Sequence, residues 1–181
     1  MDISKLTKGM RKALPLKNCG AVIVAAGSAS RMGGIDKVMA PLQGEPMICR
    51  TVRAFQNCEA VSEIVIVTRE DLIQPIGQLT KTCDKVKAVV CGGKSRQESV
   101  KNGLNALSKE VKLAAIHDGA RPLISYEVID RSIRAGNSYG AAAPAVPVKD
   151  TIKTVEGDER NLKVTTPMDL KIAEMLLEEM A

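Results

Sequence analysis

Residues 21–37 read Ala-Val-Ile-Val-Ala-Ala-Gly-Ser-Ala-Ser-Arg-Met-Gly-Gly-Ile-Asp-Lys, and this stretch decides the fold. Ala21–Gly27 is a continuous apolar run ending in glycine, the pattern of a strand buried on both faces. The small residues that follow let the backbone approach a bound phosphate closely, and Arg31 and Lys37 add fixed positive charge. Taken alone, Ala25–Lys37 reads equally well as a strand-to-helix turn with two solvated cations. An arginine and a lysine six residues apart, followed by Leu42-Gln-Gly-Glu-Pro46, favour the phosphate cradle. A dinucleotide fold would want G-x-G-x-x-G here, but Ala29 and Met32 stand at the second and third glycine positions. No Gly-Lys-Ser/Thr follows, so the stretch is not a P-loop either.

Working outward, the apolar run recurs as Glu63–Thr68, Val86–Val90 and Leu113–Ile116. Gly140–Val148 is a further extended run whose two prolines suit an edge or a bulge. Helical spacing predicts helices over Pro46–Gln56, Ser95–Leu107, Tyr126–Ala135 and residues 168–180. The last is opened by Thr166 as N-cap and Pro167 at the first helical position. Alternating strands and helices imply an α/β fold, a doubly wound and mainly parallel Rossmann-like sheet. Ligands of such sheets bind beyond the carboxyl ends of the strands, and the polar motifs follow strand ends.

The chain has 181 residues and is 45% hydrophobic, enough for one domain with a sizeable core. We read residues 1–17 as a basic, solvated N-terminal extension and 18–181 as one domain. With no Trp, one Phe and two Tyr, the chain lacks the aromatic platform of a single-stranded nucleic-acid binder. The net charge of +5 suits an anionic small substrate. The five cysteines show no close metal-ligand spacing, and no apolar run is long enough for a signal peptide or a membrane span. Reduced thiols in a cytoplasm are expected.

Two further motifs carry chemistry. Gly92-Gly-Lys-Ser-Arg-Gln-Glu-Ser99 leads from a strand into a helix. Its backbone amides can read a base or ribose, or the segment is simply a tight turn with a Ser N-cap. His117-Asp-Gly-Ala-Arg-Pro122 closes another strand. A carboxylate there, Asp118, is well placed for Mg²⁺, and Arg121 can fork onto a phosphate or pair with Asp118. His117 reads better as a structural histidine than as a catalyst. Thr151 can donate to a phosphate oxygen. Lys163 lies in a short predicted strand before the final helix and faces either way.

In this order the motifs resemble the methylerythritol phosphate cytidylyltransferase family. They are Ala-Ala-Gly-x-x-x-Arg-Met-Gly, the following Lys37, Gly-Gly-x-x-Arg-x-x-Ser-Val, His-Asp-Gly-Ala-Arg-Pro, Pro-Val-x-Asp-Thr-Ile-Lys and Asn-Leu-Lys-Val-Thr-x-Pro-x-Asp-Leu. The resemblance implies a nucleotidyltransferase fold that transfers CMP from CTP to 2-C-methyl-D-erythritol 4-phosphate with Mg²⁺. It makes Arg31, Lys37 and Lys163 the catalytic group. Ala25, Ala26, Gly27, Ser28, Gly92, Gly93, Ser99 and Ala120 would line the nucleotide site. Asp118 would lie at the metal, and Arg121, Thr151 and Lys163 would hold the acceptor phosphate. Such chemistry needs no general base, because a phosphate monoester is already largely anionic near neutral pH.

Two small departures from the family pattern are Ala29, where Gly is frequent, and Asp36, where Pro often precedes the Lys. A larger one falls at Val155–Glu156. Family members carry several dozen residues there, forming a projecting β-arm and a helix. The arm builds a homodimer and supplies an Arg and a Thr to the neighbouring site. Here Thr154-Val155 runs directly into Glu156-Gly157, so a gap or deletion is expected at that junction. Competing readings are a ribitol-5-phosphate cytidylyltransferase and a truncated CTP-binding domain without turnover. A dinucleotide-dependent oxidoreductase would leave Arg31 and Lys37 unexplained. Neither nucleic acid nor a membrane is expected as partner.

Overall fold

The computed structural model describes residues 16, 18–27, 36–145, 155–158 and 160–179. Arg31, Ser28, Thr151 and most of the 1–17 extension lie outside the described residues, as do the last three residues of the Gly140–Val148 run.

In chain order the elements are β1 (Cys19–Val24), the hairpin β2 (Pro41–Leu42) and β3 (Glu45–Pro46), α1 (Met47–Gln56), β4 (Val61–Thr68), α2 (Ile73–Leu79), β5 (Val86–Cys91), α3 (Arg96–Ala106), β6 (Leu113–Asp118), α4 (Tyr126–Tyr139), β7 (Pro144–Ala145), β8 (Val155–Glu156) and α5 (Pro167–Glu179). The main sheet has four parallel strands in the order β5-β4-β1-β6. β7 and β8 form a separate two-stranded parallel ladder. The expected α/β architecture with a parallel sheet is what the chain adopts.

Alternation along the buried strands distributes side chains to two layers. Ala21, Ile23, Ile64 and Ile66 pack with Ile48, Val52 and Phe55 of α1 and with Val128, Ile129 and Ile133 of α4. Val22, Val65 and Val67 face the other way, toward α3. There Gly103 lets the helix backbone settle directly on Val22 and Val67. The chain therefore runs outward from β1 to β5 with α1 and α2 on one face. It then crosses back along the opposite face through α3 to reach β6. This reversal beside β1 is a topological switch point, where α/β sheets open a crevice.

Local signals explain the helix ends. Ser95 caps α3, its Oγ accepting the Glu98 amide at 3.0 Å while Glu98 Oε2 accepts the Lys94 amide at 2.7 Å. Thr166 Oγ1 accepts the Asp169 amide, and Asp169 Oδ2 accepts the Thr165 and Thr166 amides. The predicted opening of the last helix is thus observed. The five cysteines form no disulfide, and Cys19 and Cys58 are buried as core residues. Burial pushes the Cys19 thiol up to about 11. No helix among the described residues is long and apolar enough to cross a membrane.

Candidate active site

A cleft of about 330 Å³ opens at the carboxyl ends of β1 and β6. Three connections build it. The first leaves β1: Ala25 donates its amide to Val67 O at 2.7 Å, and Ala26 and Gly27 follow as cleft wall. The second leaves β5. The Gly92 amide donates to Thr68 O at 2.7 Å, and the Gly93 amide donates to Ser99 Oγ at 3.0 Å. The third leaves β6 with Asp118 and Ala120, where Gly119 donates to Val24 O at 2.8 Å.

The glycines are steric requirements. A Cβ on Gly92 would lie 2.4 Å from Ala26 Cβ, and one on Gly93 would lie 2.3 Å from Glu98 Cβ. The β1 and β5 loops therefore touch only because Gly92 lacks a side chain, and the β5 loop closes onto the first turn of α3 only because Gly93 does. The amides of Gly92 and Gly93 donate within the protein, so either would reach a base or ribose only by giving up that bond. The Ser99 hydroxyl is likewise engaged, accepting from Gly93 and donating to Ser95 O at 2.9 Å. These contacts hold the rim in shape, and Gly93 and Ser99 also line the cleft.

Charge converges on the cleft. Lys37, Lys94, Arg96 and Lys163 line it against one carboxylate, Asp118. The Lys37 ammonium lies over Gly27, 3.8 Å from where a Cβ would be. Asp118 accepts from Lys163 Nζ through Oδ2 and from Arg96 Nη2 through Oδ1, both at 2.9 Å. Burial acts to raise the Asp118 pKa, but the hydrogen bonds from Lys163 and Arg96 outweigh it and hold the carboxyl down at about 2. Asp118 is therefore ionised at neutral pH.

Lys163 is not in a strand. The segment 161–165 runs alongside the loop after β6, tied by Val164 N to Ala120 O at 2.9 Å, and this bond points Lys163 toward Asp118. Arg121 turns away from the cleft, donating to Asn161 O at 3.0 Å. Its Nε stays 3.6 Å from Asp118, farther than the two nearer cations. Lys94 and Arg96 are the cleft cations that the sequence-based choice left out. Arg96 had a signal: it is the first residue of a capped helix that opens two residues after Gly92-Gly93.

His117 is not a base in this site. Its ring packs on Phe55 at 5.0 Å between centroids, and Nε2 lies 3.1 Å from Arg121 O, so Nε2 carries the proton and donates. Burial lowers its pKa to about 4, leaving it neutral at pH 7. No cluster of three or more His, Cys, Asp or Glu that could hold a metal occurs among the described residues.

A Rossmann-type half-sheet with a cationic cleft at its switch point, one ionised carboxylate and no dinucleotide fingerprint defines a nucleotidyltransferase-class domain. The comparisons with known proteins narrow this. The profile of the 2-C-methyl-D-erythritol 4-phosphate cytidylyltransferase (IspD) family matches residues 19–157, and the chain belongs to that family. It is 40% identical over 158 residues to the protein of that name from Clostridium botulinum, covering 84% of this chain and 68% of that one. The corresponding protein of Caldanaerobacter subterraneus is 42% identical over 154 residues, with 83% and 67% covered. Among these relatives the match spans about two thirds of their length, from 64% to 70%. The solved 4-diphosphocytidyl-2C-methyl-D-erythritol synthase of Anaerococcus prevotii shares the fold, with a TM-score of 0.73, 22% identity, and 90% of this chain and 96% of that chain covered.

Proposed function

We propose that this chain transfers CMP from CTP to 2-C-methyl-D-erythritol 4-phosphate, releasing pyrophosphate. The observation that carries the reading is the cleft itself: among the described residues four cations surround one ionised carboxylate, and the nearby imidazole is neutral and committed to a carbonyl. Such a site is unsuited to pulling a proton from a hydroxyl. It suits a nucleophile that is already an anion. A phosphate oxygen of the acceptor attacks the α-phosphorus of CTP, the bond to the bridging oxygen breaks, and pyrophosphate leaves with the electron pair. What such a reaction needs is charge neutralisation and in-line positioning.

In this reading Lys37, with Arg31 as the resemblance implies, stabilises charge on the reacting triphosphate. Lys163 and Thr151 hold the acceptor phosphate, and Arg121 supports the Lys163 segment through Asn161. Asp118 fits Mg²⁺, which takes one or two carboxylates and completes its shell with phosphate oxygens and water. When bound, the ion neutralises charge on the triphosphate. Five unpaired thiols suit a reducing cytoplasm. The homodimer that the resemblance attaches to the β-arm belongs to chains that carry that arm.

The test is pyrophosphate release with each component omitted in turn. Release that requires CTP, Mg²⁺ and methylerythritol phosphate together supports the proposal. Release with ribitol 5-phosphate alone replaces the acceptor, and CTP binding without any release makes the chain a binding domain. Lys37→Ala should lower kcat by roughly a hundred- to thousandfold, as loss of a donor to transition-state charge does elsewhere.

A further inference from the structure

Lys37 owes its place to more than its own backbone. The residue before it, Asp36, starts a β-turn: Met39 N donates to Asp36 O at 3.0 Å, and Val38 N donates to Asp36 Oδ1 at 3.0 Å. The side-chain oxygen thus closes a second, smaller ring inside the turn, the arrangement for which Asp is favoured at such a position. The other oxygen, Oδ2, is gripped by Arg69 Nη1. Arg69 directly follows β4, and its remaining guanidinium nitrogens fork onto Asp71, with Nε–Oδ1 at 3.0 Å and Nη2–Oδ2 at 2.8 Å. Asp36 keeps only 14% of its side chain exposed, so this is not a loose surface pair.

Downstream, the same short segment is docked on α1. Ile48 N donates to Val38 O at 2.9 Å, and Met47 N donates to Ala40 O at 3.0 Å. Lys37 therefore lies between two anchors, one to the start of α1 and one to the end of β4. Its ammonium projects over Gly27 into the cleft. Without the Arg69 anchor the turn is held on one side only.

We propose that Asp36 and Arg69 form a clasp that positions Lys37 for the reaction, both being positioning residues that touch no substrate. The inference rests on the function proposed above. A carboxylate held by an arginine stiffens the turn ahead of the lysine. Asp36→Ala removes both the inner ring and the anchor. Asp36→Asn keeps an acceptor for the Val38 amide and loses only the ion pair. Small displacements of a catalytic group lower turnover steeply, so Asp36→Ala and Arg69→Ala should each reduce kcat by about tenfold. The KM for CTP should stay within about twofold, because the rest of the pocket is untouched.

The decisive experiment is a cycle with Lys37→Ala. If the clasp acts through Lys37, adding Asp36→Ala to the Lys37→Ala protein changes kcat by less than about twofold. An equal further loss in that background would show a merely structural role and overturn the proposal, as would wild-type kcat in Asp36→Ala itself. Hydrogen exchange of the Val38 amide gives an independent readout. It should quicken by about tenfold or more in Asp36→Ala and much less in Asp36→Asn. Should the wild-type chain release no pyrophosphate, the proposed function fails, and an unchanged Val38 exchange rate would overturn the clasp separately.

Discussion

Gly103 is where the fold and the site are most directly coupled. It sits in α3 against the sheet, and a Cβ there would lie 2.4 Å from Val22 Cγ1 and 2.7 Å from Val67 Cγ2. Ordinary contact begins near 3.4 Å, so Gly103→Ala forces α3 to rise by about 1 Å. The valines cannot swing aside, because both are fully buried and stiff at χ1. Overpacking of this kind costs about 1–3 kcal/mol. Replacing a helical glycine with alanine returns up to about 1 kcal/mol. We expect a net loss of about 1–2 kcal/mol, read by urea unfolding as a lower midpoint at unchanged slope. Arg96, at the start of the same helix, should move with it, so CTP affinity should fall as well. Adding Val22→Ala makes room for the new methyl, and the double variant should be more stable than the sum of the two losses by about 1 kcal/mol. Wild-type stability in Gly103→Ala, or strict additivity with Val22→Ala, would refute the packing argument.

Other consequences are testable in the same preparations. His117 has its pKa lowered by burial from an ordinary 6.5 to about 4, so the unfolded chain takes up a proton first as pH falls. The stability it contributes is therefore whole above pH 6.5 and is lost between about 6.5 and 4, by roughly 3 kcal/mol at most. Urea midpoints across that range should slope in the wild type and flatten in His117→Gln. Asp118, held near 2 against an ordinary 3.8, should add a separate loss only below about pH 4. Lys163→Met should shrink that acid step and raise the KM for the acceptor more than tenfold. Isothermal titration should meanwhile show CTP affinity little changed. Ser95→Ala removes the cap of α3 and should lower stability by about 1 kcal/mol in the urea assay.

The sheet was legible because β1 and β4 run between two layers and carry unbroken apolar stretches, while β5, at the sheet edge, still reads as a strand around the exposed Lys87. Their ends were less so. Ala25–Gly27 is apolar but leaves the sheet, because it lines a cleft rather than a core. α4 continues to Tyr139, past the expected Ala135, since Gly136 sits within it and the helix stops only at Gly140 with φ of 88°. α2 was hidden by Pro75 and Gly77. The proline falls in the first turn, where a missing N–H is harmless. The β2–β3 hairpin turns on Gln43 and Gly44, both at positive φ, and Gln-Gly is a weaker signal for such a turn than Asn-Gly. For the site, residue types announced Lys37 and Asp118. Arg96 was legible as the first residue of a capped helix, but its pairing with Asp118 depends on α3 returning over the sheet to β6. That Arg121 points to Asn161 depends on where segment 161–165 docks, which no local pattern reveals.

The two ends of the cleft are supported differently, and this bears on a chain that spans about two thirds of its relatives' length. The end proposed to hold the nucleotide is framed by loops leaving β1, β5 and β6. Each is fixed by a backbone bond to an adjacent strand and by glycine contacts that allow no slack. The Lys163 end is held by one backbone bond to Ala120, the Arg121–Asn161 contact, the ion pair with Asp118 and the burial of Val164 in the core. That ion pair is shared: Asp118 also holds Arg96, which belongs to the nucleotide end. Asp118 is thus the joint between the two ends, and in the proposed reaction an anion bound at either end would compete with it for one of its two cationic partners.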